Sequence, residues 1–230
     1  MSGYLNFVRY VSENFTENED QLSEEFISDE FGIGYDCPPL PQLYQLMTHI
    51  AGSSICAANA IAKKSCDIAI NWFGGWHHSQ RDEASGYCYT NDIVMAVLHL
   101  LDNGFDKVLY VDLDLHHCDG VENAFAHSSK SGADGLNGDP MNAFNLTING
   151  YSECIKYLIS MNKPLILLGG GGYHPLNTAR LWAALTACAL NETLDNDIPD
   201  HSCFLAYRPS YELNIEAGLR PNLNSKQYIE

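Results

Sequence analysis

The segment YVDLDLHHCDG, residues 110–120, carries three aspartates and two adjacent histidines within eleven positions, directly after an apolar run. Ionisable side chains are costly to bury unless they are paired or bound to a metal. Alternate side chains of an extended strand end point to the same side, so Asp112, Asp114 and His116 are expected to share a face. Asp114 and His116 are therefore candidate ligands for a divalent metal such as zinc, which accepts histidine nitrogen and carboxylate oxygen.

A second histidine pair, His77 and His78, stands in the motif FGGWHH. Carboxylates commonly orient and charge imidazoles, and Asp112 and Asp119 are available as partners for this pair. Tandem histidines beside a metal site indicate general acid and base catalysis on a water molecule.

The third polar cluster is GGGGYH, in which Tyr173 follows Gly169–Gly172. Glycines let the backbone approach a ligand closely, and the phenol can donate a hydrogen bond to a developing oxyanion. The run is not a dinucleotide-binding fingerprint, and we find no serine or cysteine nucleophile motif. Together the three clusters predict hydrolysis of an unactivated carbonyl, with a metal as Lewis acid, water as nucleophile, histidine as proton shuttle and tyrosine as oxyanion donor.

The elements that must position these clusters can be predicted from hydrophobic patterns. Apolar runs at 67–72, 107–113 and 164–170 predict buried strands. Three helical patterns are present: one begins near Pro41, one lies between Asn91 and Gly104, and one begins at Asn177. Alternating strands and helices predict an α/β fold, a mainly parallel sheet flanked by helices on both faces. Ligands bind at the carboxyl ends of such strands, where all three clusters lie, so a single shared site is expected.

Composition narrows the class of protein. The chain has 230 residues, enough for one large domain or two small ones, with 29 acidic and 12 basic residues and a formal charge of −17. That charge argues against a nucleic-acid-binding surface. Eight scattered cysteines without a C-x-x-C pair are typical of a reducing compartment, and we see no membrane span or secretory signal.

Four motifs resemble the class I zinc-dependent histone deacetylases: GGWHHSQRDEASGYCYTND, VLYVDLDLHHCDGVENAF, GADGLNGDPMNAFNLT and LILLGGGGYHPLNTARLW. The similarity runs nearly end to end and implies an arginase/deacetylase-like fold. It implies zinc ligation by Asp114, His116 and Asp134.

The resemblance also implies roles for the remaining candidate residues. It makes His78 the main general base and acid, His77 its electrostatic partner, and Tyr173 the donor to the acyl oxygen. Asp112 and Asp119 are then the carboxylates paired with His77 and His78. Substrate binding is assigned to Asp36 at the rim, beside Tyr35, and to Gly86 and Tyr87 in the channel wall.

The resemblance also implies a substrate class, a cellular location and partners. Its members remove acetyl groups from lysines of histone tails and other proteins, in the nucleus and cytoplasm. We expect acetylated peptides and corepressor proteins as partners, and neither nucleic acid nor a membrane. A potassium ion is expected behind the zinc, partly through Asp112, Asp114 and His116, with an incomplete site.

The sequence also departs from the family pattern. Compared with that family, an N-terminal strand and loop are missing, and a long central segment is missing at the junction of residues 130 and 131. Residues 1–230 are therefore expected to form a single but incomplete, truncated deacetylase-like domain. Cys118 replaces a glycine, and Tyr87 replaces the usual phenylalanine. A catalytically impaired fragment that acts by binding partners is therefore an open alternative, and an arginase-like two-metal hydrolase is a further one, since Asp112 and Asp119 add carboxylates.

Overall fold

The structure, a computed structural model, describes residues 3–16, 23–125, 133–219, 221 and 225–229. The chain divides into two compact units, residues 1–132 with 162–171 and residues 133–161 with 172–230. The first unit contains α1 (Gly3–Asn14), α2 (Leu43–Ala62), β1 (Ile68–Asn71), α3 (Asp92–Asp102), α4 (Asp119–Phe125) and β2 (Leu165–Leu168). The second contains α5 (Ile148–Ser160), α6 (Pro175–Leu190) and α7 (Lys226–Ile229).

The sheet of the first unit consists, in the described part of the chain, of β1 and β2. The strands are parallel, with Ile68 opposite Leu165 and Asn71 opposite Leu168. Helix α2 packs against both strands and against α3. The cluster between these elements contains Ala58, Ile61, Ala69, Ala96 and Leu100. The predicted α/β class with a parallel sheet is confirmed.

A second apolar cluster of this unit joins α1 to α2. Val8 and Val11 of α1 and Leu43 of α2 are completely buried, each with 0% of its surface exposed. Phe15, Phe26 and Ile33 belong to the same cluster. Burial of large apolar side chains is the main favourable contribution to folding, so this cluster stabilises the N-terminal part of the unit.

Helix α3 begins and ends where the sequence predicts. The Asn91 side chain accepts a hydrogen bond from the Val94 backbone N–H at 3.1 Å, which satisfies one of the free donors of the first turn. Gly104, which follows the helix, has a φ of +89°, a conformation that suits glycine.

The second unit is built around α5 and α6, which pack against each other. Thr147 caps α5 by accepting from the Gly150 N–H at 3.0 Å. Helix α6 begins at Pro175, two residues before the predicted start at Asn177, because His174 serves as its cap and proline is favoured in the first turn. Helix α5 was not predicted from the sequence.

The predicted strand at 107–113 is wrong. Residues 107–114 have no regular secondary structure, and Leu109 is 74% exposed. A strand is defined by its backbone ladder to a neighbour, and β1 pairs directly with β2. An apolar run indicates that a segment tends to be buried. It does not indicate whether a neighbouring strand is available for backbone hydrogen bonding. The predicted junction at 130 and 131 lies outside the described residues, as do residues 17–22.

No helix in the described ranges combines the length and apolar character needed to span a membrane.

Candidate active site

Asp114 and His116 form a close pair in the segment that follows the apolar run at 107–113. His116 Nδ1 lies 3.0 Å from Asp114 Oδ1, and the His116 backbone N–H donates to the same oxygen at 2.8 Å. The Gly171 N–H donates to Asp114 Oδ2 at 3.1 Å. The Asp114 side chain is 1% exposed, whereas the His116 side chain is 30% exposed. The carboxylate is therefore held inside the protein, while the imidazole reaches solvent.

His77 is buried and paired with Asp112. His77 Nδ1 lies 2.9 Å from Asp112 Oδ2, and His77 Nε2 lies 3.8 Å from Asp114 Oδ1. The Tyr110 hydroxyl also donates to Asp112 Oδ2. Burial, followed by the negative charge of Asp112, raises the pKa of Tyr110, which keeps the phenol protonated as a donor.

His78 has the same kind of partner in a more open position. Its Nδ1 lies 2.7 Å from Asp119 Oδ1, with 18% of the His78 side chain exposed. Its ring lies edge-on to that of His77, with centroids 4.2 Å apart, and its centroid is 5.8 Å from that of His116. A Cβ on Gly86 would approach His78 Cδ2 to 2.5 Å, so the predicted wall residue packs directly on this ring.

The segments that follow β1, the apolar run at 107–113 and β2 meet in the first unit. A Cβ on Gly75 would lie 2.2 Å from the Gly169 carbonyl oxygen, so these two backbones touch. Gly75 has a φ of +100°, which glycine alone adopts readily. With the His77–Asp112 and Gly171–Asp114 contacts, all three segments lie together.

Two predicted site residues belong to the second unit. Asp134 is buried, with 1% of its surface exposed. Tyr173 is 43% exposed, and its backbone N–H donates to Asp139 Oδ2 at 2.9 Å. Asp139 is itself buried, and its Oδ1 accepts from the Met141 N–H at 2.9 Å. Asp139 therefore fixes the backbone of Tyr173.

The three predicted substrate-side residues with side chains are on the surface. Tyr35 is 87% exposed, Tyr87 is 55% exposed, and Asp36 is also exposed. Tyr87 has a φ of +63°, a conformation uncommon for a residue with a side chain.

Cys118, the substitution for glycine, is accommodated without strain. It is completely buried and packs in a cluster with Ile93 and Val121. Its φ is not positive, so the turn accepts a side chain.

Sequence reasoning missed three residues that support the predicted ones: Tyr110, Gln80 and Asp139. Gln80 Nε2 donates to Asp119 Oδ2 and to the His78 carbonyl, each at 3.2 Å, and so steadies the partner of His78. Tyr110 stands within the predicted segment, and its polar hydroxyl in an apolar run was a usable signal. Gln80 and Asp139 carry no such signal, because the site residues that their side chains support, Asp119 and Tyr173, are distant in sequence.

Asp114 and His116 of the first unit are candidate metal-binding residues, each with one ligand atom of a type that zinc accepts. Two atoms bonded to one zinc at about 2.0–2.2 Å lie roughly 3–3.5 Å apart. The 3.0 Å between Asp114 Oδ1 and His116 Nδ1 agrees with that geometry. The Gly171 N–H on the other Asp114 oxygen is the kind of outer contact that orients a ligating carboxylate. The pair therefore fits zinc.

Comparison with known proteins identifies relatives over nearly the whole chain. The histone deacetylase domain family matches residues 2–131 and 128–189. The chain is 34% identical to histone deacetylase 8 of Danio rerio, over 296 positions covering 99% of this chain and 76% of that protein. It is 35% identical to histone deacetylase 8 of Xenopus laevis, with 99% and 89% covered. It is 31% identical to histone deacetylase 1 of Homo sapiens, with 99% and 60% covered.

Proposed function

Because the chain belongs to the histone deacetylase family, we propose that it hydrolyses the acetyl amide of acetyl-lysine in histones and other proteins, with one zinc ion as cofactor. One observation carries the proposal. Two imidazoles, each bonded through Nδ1 to a carboxylate, lie in a T-shaped arrangement beside the Asp114–His116 pair. General acid and base catalysis on an amide needs that combination of groups.

Asp114, His116 and Asp134 are the residues proposed to hold the zinc ion. A bound zinc ion supplies Lewis-acid catalysis and lowers the pKa of water. Asp114 and His116 are already in place as neighbours, and the resemblance adds Asp134 to them. Potassium, which the resemblance implies near Asp112, stays a prediction.

His78 is proposed as the group that moves protons. Its Nδ1 lies 2.7 Å from Asp119 Oδ1, and in the proposed tautomer Nδ1 carries the hydrogen, so Nε2 is available as a base. Nε2 can take a proton from the attacking water and give it to the departing lysine amine. His77, held by Asp112, stabilises the charge that His78 acquires, because its ring lies 4.2 Å away and its own proton is shared with a carboxylate.

The remaining site residues are proposed to bind the substrate and to stabilise its acyl oxygen. Tyr173 donates its phenolic hydrogen to the acyl oxygen as negative charge develops there. Gly86 and Tyr87 flank the acyl-lysine chain, and Gly86 is required because a Cβ there would strike His78. Asp36, which is exposed, accepts hydrogen bonds from the substrate backbone.

We further propose that acetylated histone tails and corepressor proteins are the partners, without nucleic acid or a membrane, and that the protein acts in the nucleus and cytoplasm. A formal charge of −17 suits basic histone tails and opposes nucleic acid.

Residues 1–230 are proposed to be a single deacetylase domain that is incomplete at the 130/131 junction. The Danio rerio alignment of 296 positions is longer than the 230-residue chain, so that relative has residues without a counterpart here. The family match is also broken into two stretches that meet at residues 128–131.

One observation favours the alternative of a catalytically impaired, partner-binding form. Leu109, in the segment that did not form a strand, is 74% exposed, and Leu98 of α3 is 47% exposed. Exposed leucines are residues that a partner's surface can cover, provided that they belong to one contiguous apolar patch. A melting curve without a cooperative transition would favour this alternative.

The test of the proposed function is release of acetate from an acetyl-lysine peptide by zinc-loaded protein, measured beside the His78→Ala variant. We expect acetate from the wild type and a large loss in the variant. No acetate from cooperatively folded, zinc-loaded wild type would refute the proposal.

A further inference from the structure

The start of helix α3 contacts the loop that carries both histidines. Asn91 and Asp92 are consecutive, polar and buried, with 8% and 0% of their surfaces exposed. Neither residue touches Asp112 or Asp119 in the bonds described above, and neither has a role in the proposed proton transfer. Both residues form hydrogen bonds to backbone groups of residues 75–79.

Asp92 binds the first half of this loop as an acceptor. Its carboxylate accepts from the Trp76 N–H at 2.8 Å and from the Gly75 N–H at 3.0 Å. The Ser54 hydroxyl donates to Asp92 Oδ2 at 2.5 Å. Burial raises the pKa of Asp92, while these three donors favour its charged form. A buried carboxylate without a cation is costly, so its bonds to the loop are expected to be well ordered.

Asn91 binds the second half of the loop as a donor. Its Nδ2 donates to the His77 carbonyl at 3.2 Å and to the Ser79 carbonyl at 3.0 Å. These carbonyls flank His78, so the backbone is held on both sides of that residue. The Asn91 Oδ1 meanwhile caps α3 through the Val94 N–H.

We propose that Asn91 and Asp92 are positioning residues that hold His77 and His78 against Asp112 and Asp119. Asp92 accepts hydrogen bonds from the first part of the loop, and Asn91 donates hydrogen bonds to the second part. The importance of these hydrogen bonds for turnover rests on the proposed function. The hydrogen bonds themselves are a property of the folded chain, and their effect can be measured without turnover.

Asn91→Ser is the decisive variant, because serine keeps a capping oxygen for α3 and removes both donations to the loop. Thr147→Ala is the matched control, since it removes the cap of α5 without touching residues 75–79. We expect Asn91→Ser to lower kcat by about 10- to 100-fold, the effect of a small misplacement of reacting groups, with KM near the wild-type value. Thr147→Ala should lower the melting temperature and leave kcat unchanged.

The second readout is the exchange rate of the His77 and His78 imidazole N–H protons with solvent, followed by NMR in the full chain. Their bonds to Asp112 and Asp119 should slow exchange in the wild type. Asn91→Ser and Asp92→Asn should accelerate it, whereas Thr147→Ala should not. If Asp92→Asn does not fold, the exchange rate in Asn91→Ser alone tests the positioning role.

The outcomes separate the two proposals. A wild type without turnover but with the expected exchange rates would refute the proposed function and support the positioning role. Turnover in the wild type, with Asn91→Ser matching Thr147→Ala in both kcat and exchange, would overturn the positioning role.

Discussion

Tyr110 and His77 share one acceptor, Asp112 Oδ2. The phenolic hydroxyl and the imidazole Nδ1 both bind this oxygen, and the Asp114 backbone N–H donates to Asp112 Oδ1 at 3.1 Å. The Asp112 side chain has no exposed surface. Its negative charge is therefore stabilised by bonds within the protein, which is the condition under which a buried carboxylate can orient an imidazole.

Removal of the Tyr110 hydroxyl should destabilise the fold. Hydrogen bonds to charged groups contribute about 1.5–3 kcal/mol, so Tyr110→Phe should lower the free energy of unfolding by that amount. Urea unfolding measures the change. Tyr10→Phe is the control, since Tyr10 is 41% exposed and its hydroxyl bonds to Glu25 on the surface at 3.3 Å. An equal loss in both variants would contradict the prediction.

Stability should fall at alkaline pH through the buried thiol of Cys88. Burial raises the pKa of Cys88 from 9.0 to about 12. Above pH 9 the unfolded chain loses this proton while the folded chain retains it, so the stability present below pH 9 is lost as the pH rises towards 12. The contribution to the slope is at most about 1.4 kcal/mol per pH unit.

Unfolding measured from pH 8 to pH 10.5 checks the contribution of Cys88. Cys88→Ala should make the fall in the free energy of unfolding less steep. Cys56 is exposed, so Cys56→Ala should leave the slope unchanged. If Cys88→Ala has the wild-type slope, the thiol does not account for the pH dependence.

Loss of the proton shuttle should affect turnover far more than folding. His78→Ala is expected to lower kcat by roughly 10²–10⁴, the usual contribution of a general acid or base. Steady-state kinetics with an acetyl-lysine peptide measure it. His49→Ala, at an exposed position of α2, is the control. A kcat within the range of that control would remove His78 from the mechanism.

The hydroxyl of Tyr173 should be needed in the transition state. Tyr173→Phe is expected to lower kcat by about 10²–10³, as for loss of one oxyanion donor, with little effect on melting temperature. Tyr157→Phe on α5, 66% exposed, should behave as wild type. Unchanged kcat in Tyr173→Phe would assign the oxyanion to another donor.

The sequence was informative where one segment contains the whole signal. Helix α3 was predicted with its cap because Asn91, the apolar face and Gly104 lie within one stretch. Residue types indicated Asp112 and Asp119 as partners of the histidine pair, and only the resemblance assigned Asp112 to His77, from which 35 positions separate it.

Where structure depends on a distant neighbour, the sequence was not sufficient. The run at 107–113 has strand composition, yet forms no strand, because pairing depends on which backbone lies beside it. The bond from Tyr173 to Asp139 spans 34 positions, and no spacing rule connects the two residues. The hydrogen bonds of Asn91 and Asp92 to the histidine loop were not predicted for another reason. In the sequence, both residues indicate only the start of a helix.

The most direct test of the account is zinc titration of metal-free, cooperatively folded protein by calorimetry, with Asp114→Asn, His116→Ala and His117→Ala as variants. His117 is the neighbouring histidine, paired with Glu122 and 54% exposed in its side chain. We predict one zinc per wild-type and His117→Ala chain. In the Asp114 and His116 variants affinity should fall by more than the roughly 10- to 100-fold cost of losing an outer contact. Wild-type protein that binds no zinc, or a His116→Ala variant that binds it as tightly as wild type, would contradict the account, and two ions per chain would favour a two-metal hydrolase.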